Sequence, residues 1–216
     1  MPTANVKNRG YRKIEGAARA FNFDFRGKVV LDIGSSTGGF TEYALNHGAQ
    51  KVIAVEKGTN QMLEPLRSDP RVDLHEKTDI FDVGWMATLA YSAGHEDLAR
   101  AARSVPEGHA RVAIQPPNII VADVSFLSLT KILKYAKMNI ARSDTDYLVM
   151  LKPQFEASPD QLSSGIVKNE KYRRQIIKNF EHWLKQNDFI IIKKRDNTIQ
   201  GKHGNLERFY WLRASS

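Results

Sequence analysis

Residues 29–40 read Val-Val-Leu-Asp-Ile-Gly-Ser-Ser-Thr-Gly-Gly-Phe, an apolar run that breaks into a glycine- and hydroxyl-rich loop. Such a loop at the carboxyl end of a strand is where open α/β sheets bind nucleotide-like ligands. Gly34, Gly38 and Gly39 let the backbone turn sharply and approach a ligand, while Ser35, Ser36 and Thr37 offer hydroxyls and caps for a helix that begins near Gly38 and carries Phe40. The spacing Gly-x-x-x-Gly-Gly is not the Gly-x-Gly-x-x-Gly of dinucleotide enzymes, and no Lys-Ser/Thr follows as in a phosphate-binding P-loop. Asp32 is placed to anchor the loop or to face an amino group of the ligand. Glu56, followed by Lys57, ends the next apolar run and is placed to accept both hydroxyls of an unphosphorylated ribose. Thr78-Asp79-Ile80 follows the third run, with Asp79 positioned to receive a base amino group and Ile80 to pack on the ring. Any one of these acids alone reads as a solvated or capping group. Three acids after three successive strands, with the glycine loop first, define a nucleoside pocket.

Positioning such a pocket requires a sheet. Strand-like runs recur at Lys28–Ile33, Lys51–Glu56, Arg71–Glu76, Asn118–Asp123, Tyr147–Leu151, Phe189–Lys193 and Glu207–Leu212. Helical spacing is expected between the first five, and Lys171–Gln186 is amphipathic, with Ile176, Ile177, Phe180, Trp183 and Leu184 on one side. Alternating strands and helices imply an α/β, doubly wound, mostly parallel seven-stranded sheet. The last two strands, joined without a helix, form a terminal antiparallel hairpin. We expect a single domain over residues 1–216, with an inserted segment at 84–117 that is long for an α/β connection.

Composition narrows the function classes. The chain has 216 residues, 42% of them hydrophobic, which suits one sizeable domain. It has no cysteine, and its six histidines (positions 47, 75, 95, 109, 182 and 203) show no ligand-like pairing, so no metal site is expected. The opening MPTANVKNRGYRK lacks the apolar core of a signal peptide and no run reaches membrane-spanning length, which favours a cytoplasmic location. The net charge of +8 is uneven: residues 1–28 carry seven basic against two acidic groups, and residues 161–216 twelve against five. Two basic ends around a more acidic centre suit a polyanionic partner such as RNA or DNA.

Five segments, in order, resemble the FtsJ-like ribosomal RNA methyltransferases, in their TlyA-like, hemolysin-labelled branch. They are Lys13 within Arg9-Gly10-Tyr11-Arg12-Lys13-Ile14-Glu15, the Asp32–Phe40 loop, Asp123-Val124-Ser125-Phe126, Lys152-Pro153-Gln154-Phe155-Glu156, and Gly204-Asn205-Leu206-Glu207. The resemblance covers nearly the whole chain. It implies the Rossmann-like class I fold, S-adenosyl-L-methionine as cofactor, and 2′-O-methylation of ribose in 16S or 23S ribosomal RNA. It also implies a Lys-Asp-Lys-Glu tetrad on Lys13, Asp123, Lys152 and Glu207, with Asp123 also bordering the cofactor. In this reading Lys152 is the general base, Asp123 and Glu207 orient, and Lys13 positions the substrate. The small amino-terminal RNA-binding domain usual in that branch is not seen here, so the basic ends or a partner protein are expected to replace it.

Methyl transfer to oxygen needs the hydroxyl aligned behind the methyl carbon and its proton removed during attack. A lysine accepts that proton only when neutral, a form that neighbouring cations favour and carboxylates oppose. Asp123-Val124-Ser125-Phe126 does not match the Asn/Asp-Pro-Pro-aromatic motif of amino-group methyltransferases, so oxygen is the expected acceptor. Phe126, Phe155 and Tyr11 are candidate base-stacking groups. Two alternatives stay open at this stage, a catalytically idle RNA-binding module and an NAD-dependent oxidoreductase on the same sheet. Membrane damage, suggested only by the hemolysin label, finds no convincing amphipathic or spanning segment.

Overall fold

The computed structural model describes residues 8–85, 112–201 and 204–215. Its frame is a seven-stranded sheet built from β1 (Val29–Ile33), β2 (Lys51–Val55), β3 (Val72–His75), β6 (Ile119–Ala122), β7 (Asp146–Leu151), β10 (Phe189–Asp196) and β11 (Arg208–Ala214). The order across the sheet is β10-β11-β7-β6-β1-β2-β3. β1 pairs in parallel with β2 and β6, which makes it the point where strand order reverses. β11 lies between β7 and β10 and is antiparallel to both. The doubly wound sheet and terminal hairpin therefore stand as read from sequence.

Four α-helices occur among the described residues: α1 (Arg9–Phe21), α2 (Gly39–Asn46), α3 (Leu129–Asn139) and α4 (Glu170–Gln186). Successive residues of a strand point to opposite faces, so a sheet covered on both sides buries every position. In β1 the consequence is direct. Val30 joins one core with Tyr11, Ile14, Phe40 and Tyr43 of α1 and α2, and Leu31 joins the other with Leu129, Ile132, Ile177 and Phe180 of α3 and α4.

The helices expected between the first five strands are found only in part. α2 and α3 occupy two of the connections, but β2 and β3 are joined by a loop with one 3-10 turn at Leu66–Ser68. A connection holding Asp69-Pro70 and the glycine at 58 has too little uninterrupted helical sequence for more. The ends of the 84–117 segment pair as a short parallel ribbon, β4 (Val83–Trp85) with β5 (Val112–Ile114). Its Ala-rich helical stretch lies outside the described residues. A second ribbon, β8 (Leu162–Ser163) with β9 (Ile166–Val167), was not anticipated.

Residues 9–21 were expected as part of a basic end that carries Lys13 and Tyr11, with no helix assigned to them, and they form a capped helix docked on both α2 and the terminal hairpin. Asn8 accepts the Tyr11 N–H at 2.9 Å at its start. Gly10 and Gly39 permit the close approach to α2, since a Cβ on Gly39 would lie 2.7 Å from the Tyr11 nitrogen. From β10, Lys193 donates to the Phe21 carbonyl at 2.8 Å and Arg195 to the Gly16 carbonyl at 3.0 Å, and Arg9 donates to the Gln200 carbonyl.

Candidate active site

The carboxyl ends of β1, β2 and β6 open onto a cavity of about 560 Å³ whose walls include Gly34, Glu56, Lys57, Asp79, Ile80 and Val124. A smaller cavity of about 250 Å³ adjoins it, sharing Gly34, Ser36, Asp123 and Ser125 and adding Asp32, Ser35, Thr37, Gly39, Phe40 and Lys152. A third, of about 600 Å³, begins at Ser125 and Lys152 and continues past Lys13, Phe126, Gln154, Phe155 and Glu207. The three form one groove across the strand ends.

In the first two cavities the expected residues converge, with functions partly different from those anticipated. Gly38 (φ +91°) is the N-cap of α2 and faces Leu66 and Met62 rather than the groove. No hydroxyl of the loop caps α2. Instead Ser36 donates through its side chain to Gln61 at 3.2 Å, and Ser35 is buried with its hydroxyl unpaired among the described residues. Glu56 accepts the Ser36 N–H at 2.9 Å and the Gly58 N–H at 2.7 Å, which leaves each carboxylate oxygen one free acceptor position. Asp79 accepts the Phe81 N–H at 3.2 Å and pairs with Lys57 at 2.9 Å.

Asp32 is 1% exposed and accepts a 2.7 Å bond from Thr41, while its other oxygen has no partner among the described residues. Burial pushes its carboxyl up to about 7, against the opposing Thr41 bond, and the nearby Asp123 adds to the rise. A buried, half-satisfied carboxylate lining a cavity is completed by a cationic ligand group. The residues present therefore fit an amino-acid end at Asp32 and Ser35 and a nucleoside in the larger cavity, as S-adenosylmethionine requires.

Between the second and third cavities stand four charges from four separate elements. Lys13 comes from α1, Asp123 follows β6, Lys152 follows β7 and Glu207 precedes β11. Because β11 runs antiparallel, its first residues lie beside the last of β7, with Arg208 opposite Leu151, so Glu207 arrives next to Lys152. The charges alternate along a chain: Glu207 to Lys13 at 2.6 Å, Lys13 to Asp123 at 3.9 Å, and Asp123 to Lys152 at 2.6 Å. All four side chains are at most 20% exposed. Isolated ions at that depth cost several kcal/mol each, and alternation sets each basic group beside an acidic one.

The loops that hold this chain are tied to one another by residues to which sequence alone assigned no part. Glu156 accepts the Leu129 N–H at 2.6 Å and the Ser128 hydroxyl at 2.7 Å, fastening the loop after β7 to the start of α3. Asn205 is buried and joins the β8–β9 ribbon by accepting the Val167 N–H at 3.1 Å and donating to the Gly165 carbonyl at 3.0 Å. Arg173 of α4 donates to the Leu206 carbonyl at 3.1 Å, beside Glu207. Their presence in the quoted motifs was the only available signal for Glu156 and Asn205, and Arg173 had none.

Of the three aromatic candidates, Tyr11 is withdrawn. It is 3% exposed and packs edge-on against Tyr43 at 5.2 Å, because the α1–α2 contact takes it into the core. Phe126 is 88% exposed, holds a left-handed backbone (φ +66°) and leans on Phe155 at 5.3 Å, at the mouth of the groove.

A sheet with this strand order and a nucleoside-sized cavity lined by acids at its switch point defines a Rossmann-like fold. A methyltransferase from Mesorhizobium loti shares it at a TM-score of 0.55 and 12% identity, covering 92% of this chain and 96% of that one. The family model described as FtsJ-like methyltransferase matches residues 6–214. Over 210 residues the chain is 32% identical to the 16S/23S rRNA (cytidine-2′-O)-methyltransferase TlyA of Mycobacterium tuberculosis, covering 97% of this chain and 69% of that protein. A hemolysin-labelled structure from Lactococcus lactis superposes at a TM-score of 0.80 with 30% identity, covering 99% and 90%. The chain belongs to the FtsJ-like methyltransferase family. Among the described residues no helix is long and apolar enough to cross a membrane.

Proposed function

We propose that this protein methylates a ribose 2′-hydroxyl of ribosomal RNA, with S-adenosylmethionine as donor. The observation that carries the reading is the alternating Glu207–Lys13–Asp123–Lys152 chain, set between a nucleoside-sized cavity and a second cavity open to a larger substrate. The donor, when bound, supplies an electrophilic methyl group on a sulfonium. Asp32 and Ser35 hold its amino-acid end, Glu56 its ribose, and Asp79 with Ile80 and Lys57 border its base.

Lys152 is placed to take the proton of the 2′-hydroxyl, and Asp123 holds the Lys152 amine and stabilises the ammonium that forms. The donor would supply its methyl group to that oxygen and leave as the neutral thioether, its sulfur keeping the electron pair of the broken bond. Glu207 holds Lys13 at 2.6 Å, and Lys13 borders the third cavity as the cation that positions the incoming ribose and its phosphate. Phe126 and Phe155 flank that entrance as stacking surfaces for an unpaired base.

In this reading residues 1–216 act as one methyltransferase domain in the cytoplasm, with 84–117 as an insertion. The basic chain ends provide part of the RNA affinity and a partner protein the rest. The test is transfer of labelled methyl groups to isolated ribosomal subunits, comparing wild type with Lys152→Ala and identifying the labelled nucleotide after digestion. A label on a ribose 2′-oxygen that depends on Lys152 supports the reading. A label on a base, or one indifferent to Lys152, overturns it.

A further inference from the structure

Ser125 stands where the three cavities meet and lines all of them. It is exposed, so it contributes little to packing. Its hydroxyl nevertheless has one well-defined partner: Lys152 donates to it at 2.9 Å. The same nitrogen meets Asp123 at 2.6 Å and lies 5.9 Å from the centre of the Phe155 ring.

A neutral amine has two N–H donors and one lone pair in a tetrahedral arrangement. Asp123 lies 2.6 Å from the nitrogen as an ion-pair contact, but its near oxygen accepts no regular hydrogen bond among the described residues, so Ser125 is the acceptor that directs an N–H of the amine. With that N–H fixed, rotation about the Cε bond stops and the lone pair has two remaining positions, of which the contact with Asp123 favours the one turned away from the carboxylate. Asp123 fixes where the base is, and Ser125 fixes where it points.

We propose that Ser125 is a positioning residue that orients the Lys152 amine toward the acceptor hydroxyl. The proposal rests on Lys152 being the base. Because Ser125 accepts from the lysine, its own O–H remains free to donate to the groove, at the point where donor and acceptor come together.

The experiment compares wild type, Ser125→Ala and Ser125→Thr as full-length proteins. Ser125→Ala is expected to lower kcat for methyl transfer to ribosomal subunits about five- to tenfold, the worth of one hydrogen bond. KM for RNA and for the donor stays unchanged, and Ser125→Thr, which keeps the hydroxyl at an exposed position, restores kcat. Independently, carbon-13 relaxation at the Lys152 ε-methylene, identified by its loss in Lys152→Ala, is measured on the free protein. It is expected to show an ordered side chain in wild type and Ser125→Thr and a mobile one in Ser125→Ala.

Wild-type kcat with an ordered Lys152 in Ser125→Ala overturns the proposal, as does an effect confined to KM, which would make Ser125 a substrate contact. Absence of methyl transfer in the wild type overturns the proposed function instead. The relaxation comparison then decides by itself whether Ser125 orders Lys152.

Discussion

Replacing Asp32 by asparagine should stabilise the free protein in a pH-dependent way while abolishing donor binding. Burial lifts the carboxyl from 3.8 to about 7 in the folded state. A raised carboxyl value means that the native state binds a proton the unfolded chain has released. The wild type is thus favoured most below the unfolded value, and the advantage is lost as pH rises toward about 7. Between about pH 5 and about pH 7 the difference falls from about one proton to about half of one, at about 1.4 kcal/mol per proton per pH unit, so wild type loses roughly 2 kcal/mol that Asp32→Asn does not. The amide keeps the Thr41 bond but leaves an N–H unpaired at the free oxygen's position, a cost that is the same at every pH. Comparing the two proteins by urea denaturation across that range cancels it. A stability difference that stays constant between about pH 5 and about pH 8 would refute the reasoning. The same titration sets donor affinity: an ammonium needs the ionised carboxylate, so wild-type affinity should fall about tenfold per pH unit below about pH 7 and level off above it. Calorimetric titration of S-adenosylmethionine reads this directly, and Asp32→Asn should show no such dependence because it binds little donor at any pH.

Three further outcomes are expected. Lys13→Met leaves the Glu207 carboxylate, only 3% exposed, without its cation and should cost roughly 3–5 kcal/mol in chemical denaturation; adding Glu207→Leu should recover most of that stability without restoring methyl transfer. Glu156→Ala removes the acceptor of the Leu129 N–H at the start of α3 and should lower stability by about 1–2 kcal/mol, with Glu156→Gln intermediate in the same melting experiment. Phe126→Ala should leave the melting temperature unchanged, because the ring is 88% exposed, yet raise KM for ribosomal subunits by about fivefold or more, the range of one stacked base. An unchanged KM there would remove Phe126 from the RNA path.

The sheet was legible because its strands are apolar on both faces, a pattern that survives without knowledge of their partners. The Asp32–Phe40 loop, Glu56 and Asp79 were legible for a related reason, since a strand end is local and the topology does the rest. What could not be read were side-chain pairings across sequence. Asp79 is taken up by Lys57, and Ser35, though a plausible cap, is buried with its hydroxyl unpaired among the described residues, while Gly38, which has no side chain, is the N-cap. Tyr11 shares the buried side of α1 with Ile14, Ala17, Ala18 and Phe21, an amphipathic pattern that was present in the sequence and not used. Its burial depends on Gly10 and Gly39 meeting from different helices, which no local pattern encodes. Lys13, Asp123, Lys152 and Glu207 were found through resemblance alone. Their spacing in sequence carries no signal, since they come from four elements brought together only by the strand order.

That strand order ties the acceptor side to the whole fold. β11 follows the other six strands of the sheet in sequence yet lies between two of them, and with it comes Glu207. The walls of the two donor cavities named above come from residues 32 to 152, whereas the acceptor side also needs the first helix to meet β11. A chain cut before residue 207 loses the 2.6 Å partner of Lys13 together with Phe209, Tyr210 and Leu212, which fill both cores. The residue that completes the charge chain is thus carried by the strand that closes the fold, so the acceptor site cannot assemble ahead of it.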